Sequence, residues 1–356
     1  MNNYFSKKLP VEVVFHPSWW YKNTGITFDS DFFYHPSKRV ESEQRMEHEL
    51  YERFGDLGLG EQHRETLPVI GAVHNAAGYL LSEMLGCEIR YFENQAPQVI
   101  CAHREDFRVL SEDVNKNVAF KRLNTLIETL KSKYGYVVGD VNWGGILNLA
   151  IDLRGEQMLM DMMLQPEESQ KFFDEIGAAI ENFTSYISSN TSTTSVSVNR
   201  IVRHIEKPVF LHSECTHTMI SDDLYEQLLL PADIRWSMEH RPFGIHFCGR
   251  DPHRFADSFA KIPHLDFLDL GWGGDVKLLR EKLSNTFFAI RLDPVTINQT
   301  PDEELKKTIK QLVADSGDLN LTGLCCINMD DNTDDRKIRL IYETADEIVK
   351  NPINRL

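Results

Sequence analysis

The stretch Phe243-Gly244-Ile245-His246-Phe247-Cys248-Gly249-Arg250 is a short apolar run that ends on a histidine and a cysteine two residues apart. On a β-strand that spacing puts both side chains on one face. An imidazole beside a thiolate supplies two ligands suited to a borderline-soft metal, zinc above all. Two donors do not hold an ion, so a third has to come from another part of the chain.

The elements that would bring it there are readable from residue 68 onward, where short apolar runs alternate with amphipathic helical segments. Strands are expected at 68–73, 87–92, 135–141, 207–213, 243–248, 264–270, 286–292 and 320–327. Eight strands alternating with helices predict an α/β fold with a parallel sheet, and eight is the number that closes a (β/α)8 TIM-type barrel. An open doubly wound sheet is the alternative. Asp251-Pro252 reads as an N-cap with proline at the first helical position, and Thr300-Pro301-Asp302-Glu303 adds a capping box to the same arrangement. Ile338, Ile341, Tyr342, Ala345, Ile348 and Val349 recur at helical spacing and predict a last helix with one buried stripe. The Ser- and Thr-rich stretch 184–199 reads as a loop.

Residues 1–65 read as an irregular extension packed on a barrel of residues 66–356. The extension is rich in aromatics (Phe15, Trp19, Trp20, Phe28, Phe32, Phe33, Tyr34), which cover a core more readily than they cage a ligand. Within it, Glu41 to Phe54 is helix-prone, and the glycines of 55–60 end that helix.

A barrel carries its chemistry at the carboxyl ends of its strands. There the expected strands present Asp140 and Asn142, His212 and Glu214, His246 and Cys248, Asp269, Arg291 and Asp293, and Cys325 and Cys326. If the fifth and eighth strands share a mouth, Cys325 or Cys326 joins His246 and Cys248 in a Cys2His set with its fourth position open. That is a catalytic arrangement, since structural zinc sites close with four protein ligands. Adjacent residues of a strand face opposite ways, so one of the two cysteines serves, and spacing alone does not choose. The plain alternative is a packed histidine beside a buried thiol.

Glu214 and His212 are read as proton carriers or as hydrogen-bond partners of His246. Asp140 and Asn142 would orient substrate or cap their loop. Arg291 would meet a substrate carboxylate or sulfonate, or else pair with Asp269 or Asp293. Cys87, Cys101 and Cys215 are assigned to packing.

Composition bounds these readings. The 356 residues, 42% hydrophobic, suit one large domain with an extension, or two ordinary ones. A formal charge of −16 argues against unaided binding to nucleic acid or an anionic membrane, which needs clustered Lys and Arg. No apolar run reaches the roughly 18 residues of a membrane span. Six cysteines are too sparse for a disulfide scaffold, so a reducing cytoplasm is the expected compartment.

His246-x-Cys248, followed after 76 residues by Cys325, resembles the His-x-Cys…Cys zinc motif of the corrinoid-dependent methyltransferases in the uroporphyrinogen decarboxylase superfamily. The methylcobamide:coenzyme M methyltransferases belong to that branch. Supporting stretches are Leu85-Gly86-Cys87-Glu88, Leu149 to Glu156, and Met219 to Glu226 with Pro231. The resemblance covers roughly residues 68–356. It implies a (β/α)8 barrel, zinc on His246, Cys248 and Cys325, and methyl transfer to or from the cobalt of a separate corrinoid (cobalamin) protein. A small methylated substrate or thiol is the other partner, and a homodimer is compatible with this reading. The Arg-Gln-Ala-Gly-Arg segment and the Gly-His-Gly of true uroporphyrinogen decarboxylases are absent, which makes cofactor-free decarboxylation the weaker alternative. A non-catalytic, metal-stabilised binding barrel is the third.

Overall fold

The structure, a computed structural model, describes residues 8–63, 68–71, 79–109, 114, 116–192 and 209–351. Its strands are β1 (Val11–Phe15), β2 (Glu88–Arg90), β3 (Gln98–Ile100), β4 (Phe210–Glu214), β5 (Phe243–Phe247), β6 (Phe267–Leu270), β7 (Phe287–Leu292) and β8 (Thr322–Met329). Six of them form one sheet in the order β1-β8-β7-β6-β5-β4, every pair parallel. Helices follow the strands: Leu230–Glu239 precedes β5, Val276–Lys282 follows β6, Asp302–Ser316 follows β7 and Asp335–Lys350 follows β8. The apolar runs of β5, β6 and β7 are buried at every position, as a sheet covered on both faces requires.

This is the expected α/β architecture with a parallel sheet, but among the described residues the sheet has six strands where eight were expected. The segments 68–71 and 135–141 contribute a single parallel bridge, Val69 to Val138. It is held by Ile70 N–H to the Val138 carbonyl at 3.1 Å and Val138 N–H to the Pro68 carbonyl at 2.8 Å. The run at 87–92 does not join the sheet. It pairs antiparallel with β3 in a separate two-stranded sheet, and Glu88 and Arg90 are exposed where a barrel strand would be covered.

The largest difference lies in the segment expected to be irregular. Val11–Phe15 is a strand of the main sheet, parallel to β8 in the register Val11 to Leu324. Its Val-rich sequence favours β structure, but it is short and its partner lies some 310 residues away, so no local pattern announces the pairing. The helix Pro17–Thr24 follows it at once, with Pro17 in the first turn and the His16 ring accepting from Ser18 N–H.

Phe15 stacks on Trp19 at 4.0 Å and on Phe54 at 5.8 Å, so the aromatic residues are part of the central core. Buried Arg39, in the helix Pro36–Phe54, pairs with Glu43 at 2.9 Å and donates through Nε to the Val69 carbonyl at 3.1 Å. This ties the amino-terminal helices to residues 68–71.

Three local expectations change. Helix Pro166–Asn190 runs through the first part of the Ser/Thr-rich stretch, where buried Thr184 folds its hydroxyl back to the Ile180 carbonyl; residues 193–199 lie outside the described residues. Asp251 adopts φ 60° and makes no side-chain cap, with a short 3-10 turn following it. Helix Asp302–Ser316 starts after Pro301 without a capping side chain. The last helix buries Ile338, Ile341, Ala345 and Ile348 as its spacing requires. No helix among the described residues is long and apolar enough to cross a membrane.

Candidate metal centre

The carboxyl ends of β4 to β8 converge. His246 on β5 is register-paired with Asp269 on β6, and Arg291 on β7 with Cys325 on β8. Cys215 directly follows β4, and Cys248 directly follows β5. One donor atom each from Cys215, His246 and Cys248 lies within 4.8 Å of the other two. Cys215 is exposed, and His246 is fully buried.

Asp269 links this trio to a second layer. One carboxylate oxygen accepts from His246 Nδ1, and the other accepts from the Cys325 thiol at 3.5 Å. An Nδ1–H held by a carboxylate fixes the imidazole tautomer and leaves Nε2, 3.3 Å from Arg291 Nη2, as the ring's ligating atom. Arg291 enters from β7, with Nη2 at 3.2 Å from Asp269 and 2.9 Å from His246 Nδ1, and Nη1 at 3.4 Å from Cys248 Sγ.

These contacts set the charges. Burial opposes ionisation of Asp269, but Arg291 and His246 hold its carboxyl below the ordinary range. Burial likewise opposes charge on His246, and Asp269 outweighs it to raise the ring pKa. The Cys215 thiol donates to Cys248 and, with His246, brings the Cys248 pKa down to about 3 despite burial. The same contact, together with burial, pushes the Cys215 thiol up. Burial pushes the Cys325 thiol up.

Of the residues read from the sequence, His246 and Cys248 come together as their spacing requires. Cys325 is one carboxylate removed from them, bonded to Asp269 and to the Ala289 carbonyl at 3.8 Å. Cys326 is also buried, but the acidic side chain beside it is Glu12 of β1. Arg291 takes the ion pair with Asp269, whereas Asp293 caps the helix Pro294–Gln299 through Thr296 N–H at 2.9 Å. The partner of His246, expected from His212 or Glu214, is Asp269. Cys215, assigned to packing, is a donor of the central trio.

His212 and Glu214 build a separate, fully buried network. His212 Nδ1 is 2.6 Å from Asp233, its Nε2 is 3.0 Å from Glu214, and Tyr225 donates to Asp233 at 2.6 Å. Glu214 also accepts from Leu147 N–H at 2.7 Å and Asn148 N–H at 3.2 Å, capping the helix Ile146–Arg154. Gly145 is required there, because a Cβ at that position would fall 2.3 Å from Glu214 Oε1.

Asn148 accepts in turn from the Thr216 hydroxyl at 2.8 Å and backbone N–H at 3.1 Å. Cys215 is therefore bracketed by two anchored residues. Asn142 accepts from Gly144 N–H at 3.0 Å and shapes its loop. Asp140, at φ 44°, presents a carbonyl so close to Gly71 that a Cβ there would fall 1.6 Å from it. Neither residue is among the donors of the trio.

Nothing in the residue pattern marks His217. It is fully buried among Tyr225, Phe247 and Phe255, both ring nitrogens lack a hydrogen-bond partner, and burial lowers its pKa to about 4.

No protein-family model matches the chain, and no curated protein matches it. Solved structures do. A methyltransferase from Methanosarcina mazei superposes over 96% of this chain and 95% of its own, with a TM-score of 0.67 at 14% identity. A B12-independent methionine synthase from Shewanella sp. W3-18-1, in complex with selenomethionine, gives a TM-score of 0.51 at 11% identity over 98% of this chain and 100% of its own. At these identities the likeness is one of fold, and the architecture shared is TIM-barrel-like.

Proposed function

We propose that this chain is a zinc-dependent methyltransferase that moves a methyl group between a small methylated compound (methoxy compound, thioether or thiol) and the cobalt of a corrinoid carried by a partner protein. The observation that carries this reading is the His246–Cys248 pair with further sulfur donors at the carboxyl ends of parallel strands. The donor set fits zinc in kind, combining imidazole and thiolates with a carboxylate behind the imidazole. His246 through Nε2, Cys248 and Cys325 are the proposed ligands. The two solved structures described above bear the names of methyl-transferring enzymes, which favours methyl transfer over decarboxylation.

Bound zinc would supply a Lewis acid, which deprotonates a substrate thiol near neutrality or makes an ether or thioether a better leaving group. The chain's own residues prepare that place. Asp269 fixes the His246 ring, and Arg291 keeps positive charge beside the Cys248 sulfur. Glu214 and His212 act by holding the end of β4 against the helix Ile146–Arg154. Asp140 and Asn142, which shape their own loop, are the proposed substrate-orienting residues.

The test is to mix purified protein with free cob(I)alamin and a panel of methoxylated, thioether and methylthiol compounds, and to follow the absorbance change to methylcobalamin. One productive donor is expected, or demethylation of methylcobalamin by a thiol in the reverse direction. No change with any donor and none in reverse overturns the corrinoid reading. A corrinoid-free methyl donor is the second reading, favoured by the B12-independent neighbour. It predicts thiol methylation that does not respond to added cobalamin.

A further inference from the structure

Cys215 stands outside the His-x-Cys…Cys pattern, yet its sulfur is in the donor trio while that of Cys325 lies behind Asp269. We infer that Cys215 is a zinc ligand of the substrate-free protein, completing the set with His246, Cys248 and Cys325, and that an incoming substrate sulfur displaces it. This rests on the zinc reading above and adds a residue and a role to it.

Three observations converge. With zinc–sulfur bonds of about 2.3 Å, the sulfurs of a tetrahedral site stand roughly 3.8 Å apart. The donor atoms of Cys215, His246 and Cys248, within 4.8 Å of one another, need to close by about an ångström, a change of side-chain torsion and not of fold, while Cys325 has to turn from Asp269 to join them. Cys215 is also held ready, since Glu214 before it and Thr216 after it are both hydrogen-bonded to Asn148 or its backbone.

Exposure separates the donors by role. His246 and Cys325 are fully buried, whereas Cys215 and Cys248 are both reachable from solvent. Arg291 holds Cys248, which leaves Cys215 as the sulfur an incoming substrate displaces. Displacement by a thiol is balanced: the incoming thiol gives up its proton as its sulfur takes the metal, and the departing Cys215 sulfur receives one. Proton count and charge at the site are unchanged. Arg291, 3.4 Å from Cys248 Sγ, offsets the excess negative charge that three thiolates place on a divalent ion.

Two measurements test this, neither of them an activity. Loaded with Co(II) in place of zinc, Cys215→Ala should keep one equivalent of metal but lose roughly a third of the near-ultraviolet sulfur-to-metal absorbance, as removal of one thiolate in three requires. In the unaltered protein, iodoacetamide should label Cys215 about 10-fold more slowly with zinc bound than after chelation, because a coordinated thiolate is masked. Unchanged absorbance in Cys215→Ala, or equal labelling with and without zinc, overturns the inference and leaves the zinc reading standing. Failure of the unaltered protein to take up either metal overturns both.

Discussion

His212 Nδ1 lies 2.6 Å from Asp233 Oδ1, and its Nε2 lies 3.0 Å from Glu214 Oε1, so one fully buried imidazole bridges two buried carboxylates. Asp233 belongs to the helix Leu230–Glu239, and Glu214 caps the helix Ile146–Arg154. The bridge thereby clamps the end of β4 between two helices and fixes where Cys215 emerges.

The bridge sets a pH dependence. Burial opposes a charged ring, but Asp233 and Glu214 outweigh it and raise the His212 pKa to about 10. A folded-state pKa above the unfolded value of roughly 6.5 gives stability that is complete below about pH 6.5 and lost as pH rises through about 10. The melting temperature should fall steadily from pH 7 to pH 10, and His212→Asn should flatten that fall. Scanning fluorimetry across the range checks it, and equal slopes in the two proteins would show that His212 is neutral when folded.

Asp269→Asn should weaken zinc binding by roughly 10–100-fold, the usual effect of removing a carboxylate that orients a ligating histidine. The amide keeps the shape but cannot balance Arg291 or hold the Nδ1–H as firmly. Competition against a colorimetric chelator measures the affinity, with circular dichroism as the control for folding. An unchanged affinity would mean that Asp269 does not tune the metal.

Trp19→Ala should cost about 3–5 kcal/mol, as large aromatic truncations in a packed core do. Trp19 is 1% exposed, stacks on Phe15 of β1 and meets Trp20 edge-on at 4.8 Å. Urea unfolding reads the loss. A loss below about 1 kcal/mol would mean that the amino-terminal segment is a detachable cover and not part of the core.

What the sequence determined by itself is local. The apolar runs of β5 to β8 are short, rich in aromatic and aliphatic residues and followed by polar ones, so their positions and the polar residues at their ends are legible. The His246–Cys248 pair needs no more than strand periodicity. The aromatic content of the first 54 residues is equally plain, although their strand is not.

The tertiary structure decided every relationship that depends on register between distant segments. It placed β1 beside β8, gave His246 the carboxylate of Asp269 in place of Glu214, and turned Cys325 toward that same carboxylate. It also moved Cys215 from the core to the site. The physical reason is common to all of these. A strand's own residues fix which way its side chains alternate, but which neighbour it meets, and at what height, follows from packing summed over the whole sheet.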